Sequence, residues 1–227
     1  MEQHNAASEI IVSVEQMRRS DAYTIEHYIS GRELMYLAAH GVYDSYHEWN
    51  GKSIAIVVGS GNNGGDGYAL AGILKNSGVT PVIYKVSDKM SDDGRYYHDI
   101  AAKLGVPVFD FDEVSDLKGY DVIVDCILGT GFSGEVRGKA RDAITEINDS
   151  YAYVISVDIN SGMNGDTGEA ELAVRSDLTV SIGYYKQGLF KGKAKEYVGW
   201  LTNVDIGIRL IDENGQEMDS SQAQSTR

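Results

Sequence analysis

A glycine-rich segment follows the apolar run 53–58 and contains two side-chain amides and a carboxylate. The part that carries these groups is Asn62-Asn63-Gly64-Gly65-Asp66. Glycine permits left-handed backbone and close approach of a ligand, and a helix that begins there offers its N-terminal amides to a phosphate. Amide and carboxylate oxygens can also bind a hard cation or a ribose. A tight turn with an aspartate cap is the simpler alternative, and the segment alone leaves both interpretations open.

Two more apolar runs end in an aspartate close to glycine. Asp125 closes one run and is followed, beyond Cys126, by a second glycine-rich segment over residues 127–135. Asp158 follows the other run and precedes Ser161 and a glycine. Each aspartate could simply cap a turn after a strand. The recurrence of the pattern at three predicted strand ends nevertheless favours one shared pocket.

Lys186 follows a fourth apolar run, 178–182. A lysine at this place can pair with Asp158 or contact a phosphate. A solvated surface lysine is the alternative, because most lysines are exposed. An aspartate–lysine pair that is partly shielded from water is suited to general acid–base chemistry, since burial and pairing tune each pKa. Asp158 and Lys186 are therefore the candidate catalytic residues.

Apolar and helical patterns alternate along the chain and predict the elements that must position these residues. The predicted strands are 53–58, 81–85, 106–109, 121–125, 153–157, 178–182 and 196–204, and helical spacing covers 13–28, 30–42, 68–76, 92–104 and 137–148. This alternation is typical of a three-layer αβα, Rossmann-like fold with a mostly parallel sheet and helices on both faces. Ligands of such sheets bind at the carboxyl ends of the strands, so the motifs are expected to converge.

The polarity of the two ends predicts the limits of the domain. One domain is expected over residues 13–211, preceded by a disordered N-terminus over 1–12 and followed by a polar tail over 212–227. The hydrophobic fraction of 42% is sufficient for a full core in a single domain of this size.

The composition restricts the partners and the compartment. The formal net charge of −14 would repel nucleic acid and anionic membranes, so neither is expected as a partner. An anionic ligand must then be held by local devices such as backbone amides, a helix N-terminus or a bound cation. Cys126 is the only cysteine, which excludes an intrachain disulfide and fits a reducing compartment. With no apolar signal segment and no run of about 20 apolar residues, a cytoplasmic protein is expected.

Taken together, the motifs resemble those of the YjeF N-terminal domain family, whose enzymatic members are NAD(P)H-hydrate epimerases. The resemblance runs from about Ser13 to Ile208. The motifs that carry it are Gln16-Met17 with Asp21, Leu34-Met35, Asn62-Asn63-Gly64-Gly65-Asp66-Gly67, Asp125 with Gly129-Thr130-Gly131, Gly134-Glu135-Val136-Arg137, Asp158-Ile159-Asn160-Ser161-Gly162 and Lys186. Family members usually have proline where Asn160 stands, which predicts a less rigid loop before Ser161.

The resemblance implies an enzyme that interconverts the R and S forms of hydrated NADH or NADPH, a cofactor-repair activity. It implies Asp158 as a residue at the nicotinamide end, with Lys186 as its acid–base partner, and a potassium ion bound by Asn63, Asp125 and Ser161. The substrate-binding residues that it implies are Asn62, Asn63, Gly64, Gly65, Asp66, Gly129, Thr130, Gly131, Phe132, Ser133, Gly134, Glu135 and Asp158. A homodimer and a functional partnership with a separate dehydratase for the hydrated cofactor are further implications.

Two other functions compete with this one. The first is a non-catalytic nucleotide-binding or scaffold module of the same fold. The second is a nicotinamide-dependent dehydrogenase. Against the dehydrogenase, the first glycine-rich segment lacks a clean dinucleotide fingerprint. The segment Lys85-Val86-Ser87 also stands where an acidic ribose ligand is expected, although Asp88 is close.

Overall fold

A parallel sheet of seven strands forms the centre of the computed structural model, which describes residues 10–111 and 116–218. In chain order the elements are β1 (Ile11–Val12), α1 (Val14–His27), α2 (Gly31–Ser45), β2 (Ile54–Val58), α3 (Asn62–Asn76), β3 (Val82–Lys85), α4 (Asp92–Lys103), β4 (Val108–Asp110), β5 (Val122–Cys126), α5 (Gly138–Asn148), β6 (Tyr153–Val157), β7 (Ser176–Ile182), β8 (Tyr185–Lys186), α6 (Ala194–Tyr197) and β9 (Val198–Val204). The strand order in the sheet is β4-β3-β2-β5-β6-β7-β9, and every neighbouring pair is parallel.

The central strand β2 is apolar throughout because both of its faces are covered. All five of its residues are buried. Ile56 and Val58 face a layer that contains α2, α3 and α4, whereas Ala55 and Val57 face α5 on the other side. This alternation confirms the predicted three-layer fold, with helices on both faces of a parallel sheet. No helix within the described ranges is both long and apolar enough to cross a membrane.

Helix α3 begins at Asn62, six residues before the predicted start of the helix at residue 68. The glycine-rich segment is thus the first turn of the helix and not a separate loop. Glycine is unfavourable inside a helix, which is why the sequence pattern predicts a turn. Here close packing overrides that preference, because a Cβ at Gly64 would collide with the carbonyl oxygen of Gly59, and one at Gly65 with the end of Met35.

The folded part extends beyond the predicted N-terminal boundary. Ile11 and Val12, expected to be disordered, form β1, which pairs in parallel with β8 so that Val12 lies opposite Lys186. Val12 is buried, so its apolar side chain contributes to the hydrophobic core and stabilises the fold. Residues 1–9, also part of that predicted disordered segment, lie outside the described residues.

The folded part also extends beyond residue 211, where a polar tail is predicted to begin. The Met218 amide donates to the Leu210 carbonyl (2.8 Å) and the Asp212 amide donates to the Gln216 carbonyl (2.9 Å). Glu217 accepts hydrogen bonds from the hydroxyls of Tyr23 (3.1 Å) and Tyr28 on α1. Hydrogen bonds between polar groups therefore order this segment. The hydrophobic periodicity of a sequence does not reveal such bonds. Residues 219–227 of the predicted tail lie outside the described residues.

Two glycines of α3 provide a matched test of this packing. At Gly67 a Cβ would lie 2.7 Å from Val58 Cγ1 and 3.0 Å from Cys126 Cβ, whereas at Gly72 the nearest atoms are 3.8 Å away. Gly67→Ala should destabilise the fold by about 1–3 kcal/mol, because it overpacks the contact between helix and sheet. Gly72→Ala should stabilise it by up to about 1 kcal/mol through helix propensity. Urea denaturation measures both, and equal effects of the two substitutions would contradict the packing described.

Candidate functional site

Three of the predicted strand-end segments meet at the carboxyl edge of the sheet. A Cβ placed on Gly129, after β5, would lie 3.2 Å from the Cβ of Asn63 in α3 and 3.5 Å from Asp158 Oδ2 after β6. The parallel order β2-β5-β6 puts these strand ends side by side, which agrees with the predicted convergence of the motifs. Asn63, Gly129 and Asp158 therefore lie together at this edge, and the space that they border is the candidate pocket.

Lys186 is fully buried at this edge and pairs with Asp158 through its Nζ. The same ammonium donates to Ser181 Oγ (3.1 Å), the Ile182 carbonyl (2.9 Å) and the Tyr184 carbonyl (3.1 Å). A buried charge is tolerated only when it is paired and hydrogen-bonded, and these four oxygens satisfy it. The alternative of a solvated surface lysine is therefore excluded.

Asp158 carries a left-handed backbone, with φ at 69°, and no other described non-glycine residue has a positive φ. Its amide donates to the Val180 carbonyl (2.7 Å), which holds the turn after β6 in place. Aspartate tolerates this conformation better than most residues, yet such strain persists mainly where the surroundings fix it, often at functional sites. The side chain is 18% exposed, so the carboxylate that pairs with Lys186 is still accessible from the pocket.

Asp125 is buried beneath the pocket and accepts four hydrogen bonds. Its Oδ1 accepts from Ser161 Oγ (2.5 Å) and the Ile127 amide (3.2 Å). Its Oδ2 accepts from Ser156 Oγ (2.9 Å) and the Ser161 amide (3.0 Å). Burial raises the pKa of Asp125, and the hydrogen bonds from Ser161, Ser156 and Ile127 oppose that rise. The structure thus brings Asp125 and Ser161, two of the three predicted potassium ligands, into direct contact.

Hydrogen bonding is incomplete around Asn63, and the Ser161 hydroxyl has two acceptors within reach. Ser161 Oγ lies within hydrogen-bond distance of both Asp125 Oδ1 and the Leu128 carbonyl (3.1 Å), but a hydroxyl has one proton. Both polar atoms of the Asn63 side chain are buried and have no hydrogen-bond partner among the described residues. Leaving a buried amide unpaired costs free energy, so such a group points to a missing ligand.

The donors available for a cation at this place are oxygens. Within residues 10–111 and 116–218, no group of three or more histidine, cysteine, aspartate or glutamate side chains could hold a metal ion. An amide, a hydroxyl, a carbonyl and one carboxylate suit a hard cation of low charge better than a transition metal.

The second glycine-rich segment lies at the rim of the pocket. Within this segment, Gly129 lies close to both Asn63 and Asp158. Residues 131 and 133–135 are exposed, and Phe132 packs on the α5 side of the core. Glu135 forms an ion pair with the exposed Arg137 (2.8 Å). The segment is therefore a surface loop over the strand ends, and Asn62, at the start of α3, is exposed as well.

Two aspartates from other elements complete the electrostatics of the site. Burial and repulsion from Asp158 raise the pKa of Asp21 on α1 to about 7, while Lys186 opposes the rise. Burial, followed by Asp158 and Asp21, raises the pKa of Asp66 on α3 well above its ordinary value. Asp66 is a predicted substrate-binding residue, whereas the sequence gives Asp21 only as part of a family motif and predicts no role for it. Its helical spacing from Met17, which packs on Gly183 after β7, is the signal that could have placed it here.

Asn160 corrects the expectation of a less rigid loop before Ser161. Its Nδ2 lies within hydrogen-bond distance of the Val174 carbonyl (2.9 Å), Ser176 Oγ (3.0 Å) and the Tyr197 carbonyl (3.0 Å). Its Oδ1 accepts from Thr179 Oγ1 (2.8 Å), and the residue is fully buried. These side-chain bonds tie the loop to β7 and α6, so the absence of proline leaves it well anchored.

Comparison with known proteins places this geometry in a family. The family model for the YjeF-related protein N-terminus matches residues 31–188. A protein of Limosilactobacillus reuteri named NAD(P)H-hydrate epimerase is 39% identical over 213 residues, covering 89% of this chain and 98% of that protein. A protein of the same name from Oenococcus oeni is 37% identical, covering 88% and 97%.

Two further matches concern domain arrangement and fold. A Coxiella burnetii protein named bifunctional NAD(P)H-hydrate repair enzyme is 34% identical over 85% of this chain, but the match covers 40% of its own length. The crystal structure of the yeast protein YNL200c has a TM-score of 0.74 at 21% identity, covering 94% of this chain and 98% of that one, which shows a shared fold. With its parallel sheet, strand-end site and matched segment, this chain belongs to the YjeF N-terminal domain family.

Proposed function

We propose that this protein is an NAD(P)H-hydrate epimerase, an isomerase that interconverts the R and S forms of hydrated NADH and NADPH. The observation that carries the proposal is the buried Lys186–Asp158 pair, which borders the same pocket as the unpartnered side chain of Asn63. The names of the relatives from Limosilactobacillus reuteri and Oenococcus oeni support the same substrate. No feature of the pocket favours a purely binding or scaffold role.

Interconversion of the R and S forms involves no net oxidation or reduction. The hydrated carbon bears a hydroxyl group and adjoins the ring nitrogen, so inversion requires delivery of a proton at one atom and removal of a proton at another. Positioned carboxyl groups perform such transfers, each contributing about 10²- to 10⁴-fold to the rate. Asp158 is the accessible carboxylate, and Lys186 fixes its position and balances its charge from the protein side.

An anionic dinucleotide must be held despite the net charge of −14. The amides in the first turn of α3 and the exposed glycine-rich rim after β5 are the local devices that we assign to its phosphates. The raised pKa values of Asp21 and Asp66 assist, because a carboxyl group repels phosphate less as its neutral form is favoured.

Potassium is the cation that we propose for the oxygens beneath the pocket. Asn63, Asp125 and Ser161 would hold it, since Asn63 Oδ1 is unpartnered and the Ser161 hydroxyl oxygen lies beside both Asp125 Oδ1 and the Leu128 carbonyl. When bound, the ion would offset the repulsion between the Asp125 carboxylate and the phosphates of the dinucleotide.

The partner, the oligomeric state and the cellular location are proposed as the family resemblance implies them. The bifunctional Coxiella burnetii relative suggests that a second repair activity accompanies this one, and a separate dehydratase is the partner that we expect. A homodimer stays a prediction. The single, buried Cys126 is compatible with a cytoplasmic location.

Asp158→Asn tests the catalytic assignment. Asparagine also tolerates the left-handed backbone, so the substitution removes the carboxylate with little change of fold. We expect the rate constant for conversion of the R form to fall by about 10²- to 10⁴-fold, with binding largely retained. Chiral chromatography or NMR of the hydrate, corrected with an enzyme-free blank, measures the rate.

Asp44→Asn, which changes an exposed aspartate of α2, is the matched control and should leave the rate unaltered. Full activity of a folded Asp158→Asn protein would show that the carboxylate is dispensable. Inactivity of the unmodified protein in potassium buffer would overturn the proposed function itself.

The potassium site predicts a cation-specific thermal stability. Replacing potassium by choline at constant ionic strength should lower Tm, because an ion that binds the native state stabilises it by mass action. Asn63→Ala should abolish the difference between the two salts, whereas Asn76→Ala, at the exposed far end of α3, should preserve it. Differential scanning fluorimetry reports the shift, and identical melting in both salts would refute the ion.

A further inference from the structure

Helix α1 brings an additional carboxyl group to the strand-end pocket. The helix follows β1, in which Val12 pairs with Lys186, so the start of α1 is tied to the buried lysine. One turn before Asp21, Met17 packs on the turn after β7, where a Cβ on Gly183 would lie 2.6 Å from Met17 Cε. Residues i and i+4 share a helix face, which directs Asp21 toward the same strand ends.

The Asp21 carboxyl group is half-buried and makes no hydrogen bond or salt bridge within residues 10–111 and 116–218. The charged groups that act on it come from separate elements: Asp158 and Lys186 from the strand ends, and Asp66 from α3. A buried carboxylate without partners is costly, so the neutral acid is favoured, and the pKa of Asp21 rises to about 7. Asp21 can therefore give up a proton near neutral pH.

The stretch of α1 that carries Asp21 is anchored by the C-terminal segment of the chain. Ser20 Oγ accepts from the Ile211 amide (3.1 Å) and Thr24 Oγ1 accepts from the Arg209 amide (2.9 Å). The C-terminal segment thus binds Ser20, one residue before Asp21, and Thr24, three residues after it. An unpaired carboxyl group on an anchored helix has the properties of a proton-transfer group.

We propose that Asp21 is a further proton-transfer residue of this reaction, the acid that works together with Asp158; the inference rests on the proposed function. Asp21 gives its proton to the hydroxyl oxygen of the hydrated carbon, and the carbon–oxygen bond breaks as water leaves with the bonding electrons. The lone pair of the ring nitrogen stabilises the carbon meanwhile. Water then adds to the opposite face and loses a proton to Asp158. One proton is given and one is taken, and nothing is oxidised or reduced; proton exchange with solvent then returns Asp21 to its acid form and Asp158 to its carboxylate.

The pH dependence of kcat/KM tests this assignment, because it reports the acid and base of the free enzyme. For the unmodified protein we expect activity to fall above about pH 7, as Asp21 loses its proton. Asp21→Asn should lower kcat/KM by about 10²-fold or more and remove that alkaline limb. Asp21→Glu should retain part of the activity together with the limb. Glu26→Gln, an exposed change on the same helix, should match the unmodified protein.

Stability gives a second readout with a defined sign. The folded-state pKa of Asp21 lies above the ordinary value of 3.8, so the native state holds the proton to a higher pH than the unfolded chain does. Stability from this group is therefore lost as pH rises from about 4 to about 7. Asp21→Asn removes the loss, so its Tm relative to the unmodified protein should be higher at about pH 8 than at about pH 4.

The outcomes separate this inference from the proposed function. An unmodified protein without epimerase activity would overturn both. An active protein whose Asp21→Asn variant keeps its rate and its alkaline limb would overturn the role of Asp21 alone. A variant that is slower but keeps the limb would identify Asp21 as structural and would also overturn the inference. If Asp21→Asn fails to fold, a profile of Asp21→Glu without the alkaline limb has the same consequence.

Discussion

The burial of one ammonium group constrains the whole carboxyl edge of the sheet. Lys186 has no exposed surface, so its charge is tolerable only if oxygens surround it. The end of β7 and its turn supply three of them, and Asp158 supplies the fourth from a left-handed turn after β6. The strained backbone of Asp158 and the pairing of β1 with β8 both follow from holding this pair in place.

Around that pair the site gathers more negative groups than an anionic ligand would seem to allow. Asp21, Asp66 and Asp158 come from three elements, and Asp125 lies beneath them. Burial raises the pKa values of Asp21, Asp66 and Asp125, and repulsion from Asp158 adds to the rise at Asp21 and Asp66. The same crowding that would oppose a pyrophosphate thus gives Asp21 a pKa of about 7, and a carboxyl group that can release a proton near neutral pH is what inversion of a hydrated carbon requires.

Much of this arrangement could be predicted because parallel strands end at one edge. The aspartates at residues 125 and 158 and the glycine-rich segment after β2 each follow an apolar run, so their convergence follows from the fold class. The position of Asp21 could not be predicted in this way, since helical periodicity indicates which face of α1 is apolar but not which strand ends it covers. The early start of α3 and the anchoring of Asn160 likewise depend on tertiary contacts that local pattern does not contain.

The central claim is that the hydrated ring lies against the Lys186–Asp158 pair while the phosphates lie at the N-terminus of α3. A crystal structure with bound hydrated NADH, grown in rubidium as an anomalous substitute for potassium, tests it most directly. We expect the hydroxylated carbon beside the Asp158 carboxyl group and an anomalous peak among Asn63, Asp125 and Ser161. A ring bound away from Asp158, on another face of the domain, would contradict it.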